Sequence, residues 1–180
     1  MSLPPTPFTK GWHFNKVLLD TARSYLGQKE TAPNSGPMID AWLRGVGLAP
    51  GFPWCGAFAH GVAFEAASKL DLLPCPYPFT GSALRAWDKL QGCRVPAPTP
   101  GCLGFSDHGE GKGHVWFVPE ASPSGHMVTI SGNTNEDGSR EGNSVARHEW
   151  DWLLGLAGVT KIHGGRLLGF ADLGMLIDAR

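Results

Sequence analysis

Tyrosine is scarce in this chain, 2 among 180 residues, and no block of like charge occurs along it. The missing charge blocks exclude most. Fifteen lysines and arginines stand against 16 acidic residues, a net charge of −1. Such a chain lacks the electrostatic footprint of a nucleic-acid or anionic-membrane binder, and neither is an expected partner. No apolar run approaches the length that crosses a bilayer. The 4 cysteines, Cys55, Cys75, Cys93 and Cys102, include no CxxC pair, which argues against a zinc ribbon or a thioredoxin-like site. Free thiols are expected, because a chain of this size folds without staples. Met1 to Pro7 has no basic n-region and no long apolar h-region, so it does not read as a signal peptide. Synthesis in a cytoplasm is expected, and action outside the cell would need release or export by another system. No internal repeat or low-complexity tract occurs.

Glycine and proline, by contrast, are abundant, 25 and 15 residues, which points to a turn-rich fold. A lead-in over residues 1–12 is expected to be flexible, with one domain over 13–180. Apolar spacing predicts helices over Phe14–Leu26, Pro37–Val46 and Pro53–Leu70, and a fourth capped by Ser82 and ending near Leu90. Pro96, Pro98 and Pro100 mark a change of character. Beyond them lie short β-rich runs: Cys102–Phe105, His114–Val118, His126–Ile130, Val145–Trp150 and Leu167–Ile177. Helices first and strands later indicate an α+β fold, N-terminal helices packed on a C-terminal antiparallel sheet.

Cys55 follows Pro53-Trp54 and opens the helical run Phe58, Ala59, Val62, Ala63, Ala66. A thiol at a helix N-terminus faces unpaired N–H groups and the positive end of the dipole, which favours the nucleophilic thiolate. His114 begins an apolar strand and can serve as its base. Asn133 ends another and can accept the second imidazole N–H. By itself a cysteine in an alanine-rich helix is a small core residue. The order Cys, His, Asn, each in a fitting setting, favours acyl-transfer chemistry.

The stretches LGQKE, GLAPGFPWCGAFAHGVAF, TGSALRAWDKL, PGCLGFS, GHVWFV and ISGNTNEDGSREGNSV are collinear from about Ala22 to Arg147. They resemble the CHAP domains of the NlpC/P60 superfamily, cysteine amidohydrolases and peptidases of bacterial cell walls and phage lysins. The resemblance implies a papain-like α+β fold, Cys55 as nucleophile, His114 as general base and Asn133 as orienter. It implies peptidoglycan as partner, cut as an N-acetylmuramoyl-L-alanine amidase or a stem-peptide endopeptidase, by a monomer. Many members carry Glu two residues before the Asn; here that residue is Ser131. Glu30, Asn34 and Trp54 are candidates to line the substrate cleft.

Other residues fit less well. His60 is about 140° round the helix from Cys55 and reads as a helix-surface or core-edge residue rather than the base. Asp107, His108 and His114 lack a second ligand cluster, so no metal is expected. Asn133 to Gly138 resembles the start of a calcium loop but has Ser144 at the twelfth position. Calcium is known in some CHAP domains through acidic loops near the first helices; no dense acidic cluster lies there, and no cofactor is expected. Trp150 and Trp152 read as core, or as a sugar-stacking platform. Two other classes compete with the hydrolase: a silent cell-wall-binding module, and a papain-like hydrolase or acyltransferase of another amide.

Overall fold

The computed structural model describes residues 9–135 and 142–180. The chain forms α1 (Lys10–Ser24), α2 (Pro37–Gly45), α3 (Cys55–Lys69) and α4 (Ala83–Lys89), then β1 (Arg94–Val95), β2 (Leu103–Gly109), β3 (Lys112–Ala121), β4 (His126–Thr134) and β5 (Ser144–Asp151). A short α5 (Trp152–Leu156), β6 (Arg166–Ala171) and α6 (Leu173–Asp178) follow. The strands make one antiparallel sheet in the order β1-β6-β2-β3-β4-β5. The fold is therefore α+β.

Helix α1 begins four residues before the expected Phe14, because the Thr9 hydroxyl accepts from the Trp12 N–H at 3.0 Å and caps it there. Residues 10–12, expected in the lead-in, thus belong to the domain; residues 1–8 lie outside the described residues. The run Leu167–Ile177, expected as one strand, breaks at Asp172. Its carboxylate accepts from the Gly174 N–H at 2.9 Å and starts α6.

The sheet is covered on both faces, and alternation along each strand sorts its side chains between two cores. On one face Leu103, Phe105, Val115, Phe117, Ile130 and Ala171 pack against Phe14, Trp42, Phe58 and Ala63 of the helices. On the other, Cys102, Trp116, Val118, Met127 and Phe170 pack with Trp152, Ile162 and Leu167. Small residues let α3 lie deep in the first core. A Cβ added to Gly56 would stand 2.2 Å from the Gly81 carbonyl oxygen, and one on Gly61 2.4 Å from Trp42.

Candidate active site

Cys55 is the first residue of α3, and Trp54 stands before it at the cap position. The Trp54 carbonyl accepts the first helical bond, from the Phe58 N–H at 2.8 Å. The Cys55 residue is 3 % exposed, and its Sγ approaches the Gly113 carbonyl oxygen of β3 at 3.9 Å. The thiol lines a cleft of about 470 Å³ between the helices and the β2–β3 hairpin. Val46, Leu48, Phe52 and Phe79 form its apolar side; Thr80, Ser82, Arg85 and Lys112 supply polar groups. Burial disfavours the thiolate at the other three cysteines. Burial pushes Cys75 up to about 11, and Cys93 and Cys102 up to about 12.

His114 lies at the start of β3, as expected, but on the other face of the sheet. It pairs in register with Ser106. Its ring stacks at 6.3 Å from that of Trp116, two residues on, and lies 4.8 Å from the ring of His163. Trp116 belongs to the core opposite the one that holds Cys55, whereas Val115 and Phe117 belong to the same core as Cys55. Position 113 rather than 114 faces the helices, since a Cβ on Gly113 would meet Leu84 of α4 at 2.7 Å. His114 is not among the described residues that line the cleft at Cys55.

Asn133 is fully buried in a bulge of β4, with φ 58. Neither end of its amide has a hydrogen-bond partner among the described residues, so the expected bond to the imidazole of His114 is not made. Ser131, at the position where a glutamate is common in the resembling family, is buried too, and its hydroxyl has no partner among the described residues.

The three cleft candidates make contacts within the fold, and none of them lines the cleft at Cys55. The Glu30 carboxylate accepts from the Trp54 indole N–H at 2.8 Å and from the Asn34 backbone N–H at 2.9 Å. Trp54 is fully buried and stacks on Trp42, with ring centroids 5.7 Å apart. Asn34 occupies a left-handed turn, φ 51, and its carbonyl accepts from the Gly51 N–H at 3.0 Å. Through these contacts Glu30 ties the loop before α2 to the residue preceding the thiol.

His60 is a core-edge residue, as its offset implied. It lies among Phe64, Tyr77 and Phe79, and burial lowers its pKa. Asp107 pairs with Arg166 at 3.2 Å, and the His108 ring bonds the Ser106 hydroxyl at 3.3 Å. Among the described residues no group of three or more His, Cys, Asp or Glu is arranged to hold a metal. The calcium-like stretch falls partly on residues 136–141, outside the described residues. Trp152 is core, with its indole N–H donating to the Ser122 carbonyl at 3.0 Å.

Sequence reasoning passed over two features. One is the cation rim of the cleft, Arg85 of α4 and Lys112 at the start of β3, which the fold brings to one cleft. The other is a set of histidines on the far face. His163 is fully buried, 4.8 Å from His114 and 5.4 Å from His148 by ring centroids, and bonds the Thr129 hydroxyl at 3.1 Å. These rings come from β3, β5 and the turn before β6, and only their contacts in the folded chain show that they meet.

No family model, curated protein or solved structure matches this chain. No helix among the described residues is long and apolar enough to cross a membrane.

Proposed function

We propose that the chain is a cysteine amidohydrolase of the bacterial cell wall, of the papain-like NlpC/P60 kind. On this reading it cuts peptidoglycan at the lactyl–L-alanine amide or within the stem peptide. The observation that carries the reading is the setting of Cys55: the first residue of a buried helix, lining a cleft whose rim also carries Arg85 and Lys112. Unpaired N–H groups and positive charge around a sulfur stabilise the thiolate. The thiolate attacks the amide carbonyl, and the Cys55 N–H in the first helical turn donates to the developing oxyanion. The amine leaves with a proton from a general acid, and water then releases the acyl group.

The far-face position of His114 favours a second reading, a cell-wall-binding module without catalysis. One experiment separates the two. Isolated cell wall is incubated with the wild type, Cys55→Ala and His114→Gln, and released fragments are identified by mass spectrometry. The hydrolase reading expects fragments from the wild type and none from Cys55→Ala. Loss in His114→Gln as well assigns the base to His114, and retention there assigns it elsewhere. Wall binding without fragments from any of the three proteins overturns the hydrolase. New amino termini, as against free lactyl ends, distinguish endopeptidase from amidase.

A further inference from the structure

The cleft at Cys55 carries a sign. Two cations line it, Arg85 and Lys112, and among the described residues no carboxylate does. The two differ in what holds them. The Lys112 Nζ is paired with the Glu110 carboxylate at 3.1 Å. Arg85 enters no ion pair among the described residues. Its backbone is fixed by the Ser82 hydroxyl, which accepts from the Arg85 N–H at 3.3 Å, and by the buried neighbours Ala83 and Ala86. A guanidinium so placed presents a planar fork of donors matched to a carboxylate, which an ammonium does not offer. Across the cleft, Phe52 and Phe79 are 51 % and 67 % exposed, an apolar surface left open to a ligand.

We infer that Arg85 is the specificity-determining residue of this cleft, and that it selects a peptide with a free carboxylate next to the bond attacked by Cys55. The inference rests on the hydrolase reading for the attack itself, while the selection of a carboxylate is a property of binding. The preferred ligand combines a carboxylate for Arg85 with a small apolar side chain for Phe52 and Phe79. Capping that carboxylate as an amide removes the charge and leaves the shape.

The test uses two probes: N-acetylmuramoyl tetrapeptide whose second residue is D-isoglutamate, with a free α-carboxylate, and its D-isoglutamine counterpart. Turnover is measured with the wild type, Arg85→Gln, Arg85→Lys and Lys89→Gln; Lys89 is an exposed cation of the same helix outside the cleft. Binding of both probes is measured on Cys55→Ala with and without Arg85→Gln. The wild type is expected to favour the acidic probe about ten- to a hundredfold in kcat/KM, the worth of a charged hydrogen bond. Arg85→Gln brings the ratio near unity, Arg85→Lys recovers part of it, and Lys89→Gln leaves it unchanged. The wild-type ratio also falls as salt rises. Turnover of both probes at an equal rate, or a ratio unmoved by Arg85→Gln, overturns the inference while the hydrolase stands. Binding to Cys55→Ala that prefers the carboxylate and depends on Arg85, without turnover by the wild type, upholds the inference and overturns the hydrolase for this bond. Neither binding nor turnover overturns both.

Discussion

Replacing Glu30 with alanine tests whether this carboxylate serves the fold or the substrate. In the structure it accepts two hydrogen bonds, from the buried indole of Trp54 and from the Asn34 backbone. A hydrogen bond to a charged group contributes about 1.5–3 kcal/mol. Glu30 is half-buried, so solvent screens part of that. Its removal also strands the Trp54 N–H in a fully buried side chain, at a cost of about 1–3 kcal/mol. These contributions overlap, and a net loss of about 2–3 kcal/mol is expected. For a domain of this size that lowers Tm by roughly 4–12 °C. Glu30→Gln keeps one acceptor oxygen and is expected to lose about half as much. With 7 tryptophans, fluorescence does not isolate this site, so the melt is followed by circular dichroism. A residue that binds substrate gives the opposite pattern. An unchanged Tm in Glu30→Ala, together with weakened wall binding, would refute the structural role.

Alkylation by iodoacetamide at pH 8 is expected to modify Cys55 first, with Cys75, Cys93 and Cys102 labelled only on unfolding; peptide mapping checks the order, and early labelling of Cys102 contradicts it. Tyr25 is held neutral up to about 12, by burial first and then by its hydrogen bond to Glu65. The unfolded phenol loses its proton near 10.0. Stability is therefore expected to fall as pH rises from about 10 to about 12. Urea titrations of the wild type and Tyr25→Phe read this, since the variant should lack that part of the slope. In Gly56→Ala the new Cβ meets the Gly81 carbonyl oxygen at 2.2 Å, backbone against backbone. Helix α3 must move, and a loss above about 3 kcal/mol is expected, read as a lower urea midpoint or as insoluble protein.

Helices α1, α2 and α4 were readable because each buries one stripe, and α3 because a run of small apolar residues follows Pro53. Helix α6 was not. Leu167 to Ile177 is apolar at both periods, and the turn at Asp172 depends on contacts with Gly174 and with Asn15, 157 positions away. The place of Cys55 at a helix start was readable for a local reason, since Pro53 halts the chain just before a helical run. The face of His114 was not. In a half-exposed strand, alternation tells inside from outside, but both faces of β3 are covered, and Val115, Trp116, Phe117 and Val118 are all buried. One clue did lie in the sequence. Trp116 needs a cavity, and Gly104, its partner on β2, leaves one on the far face, where a Cβ would come within 2.2 Å of the indole. The cleft escaped notice because Phe52, Phe79, Arg85 and Lys112 come from four separate segments.

The contact between Cys55 and Gly113 makes β3 a two-position selector. Side chains along a strand change face with every residue, so the identity of the group presented to the sulfur depends on whether an odd or even number of residues precedes it in the hairpin. Gly109 and Gly111, both with positive φ, and the irregularity between Asp107 and Gly109 lie in that hairpin, where a residue can be gained or lost at small cost. One residue more or less there exchanges a bare backbone carbonyl for an imidazole at the thiol. It also moves an indole into the crowded helical core. The parity of a surface turn is thereby tied to the chemistry of a buried sulfur, and a residue gained or lost at Glu110, which does not line the cleft, changes the group presented there.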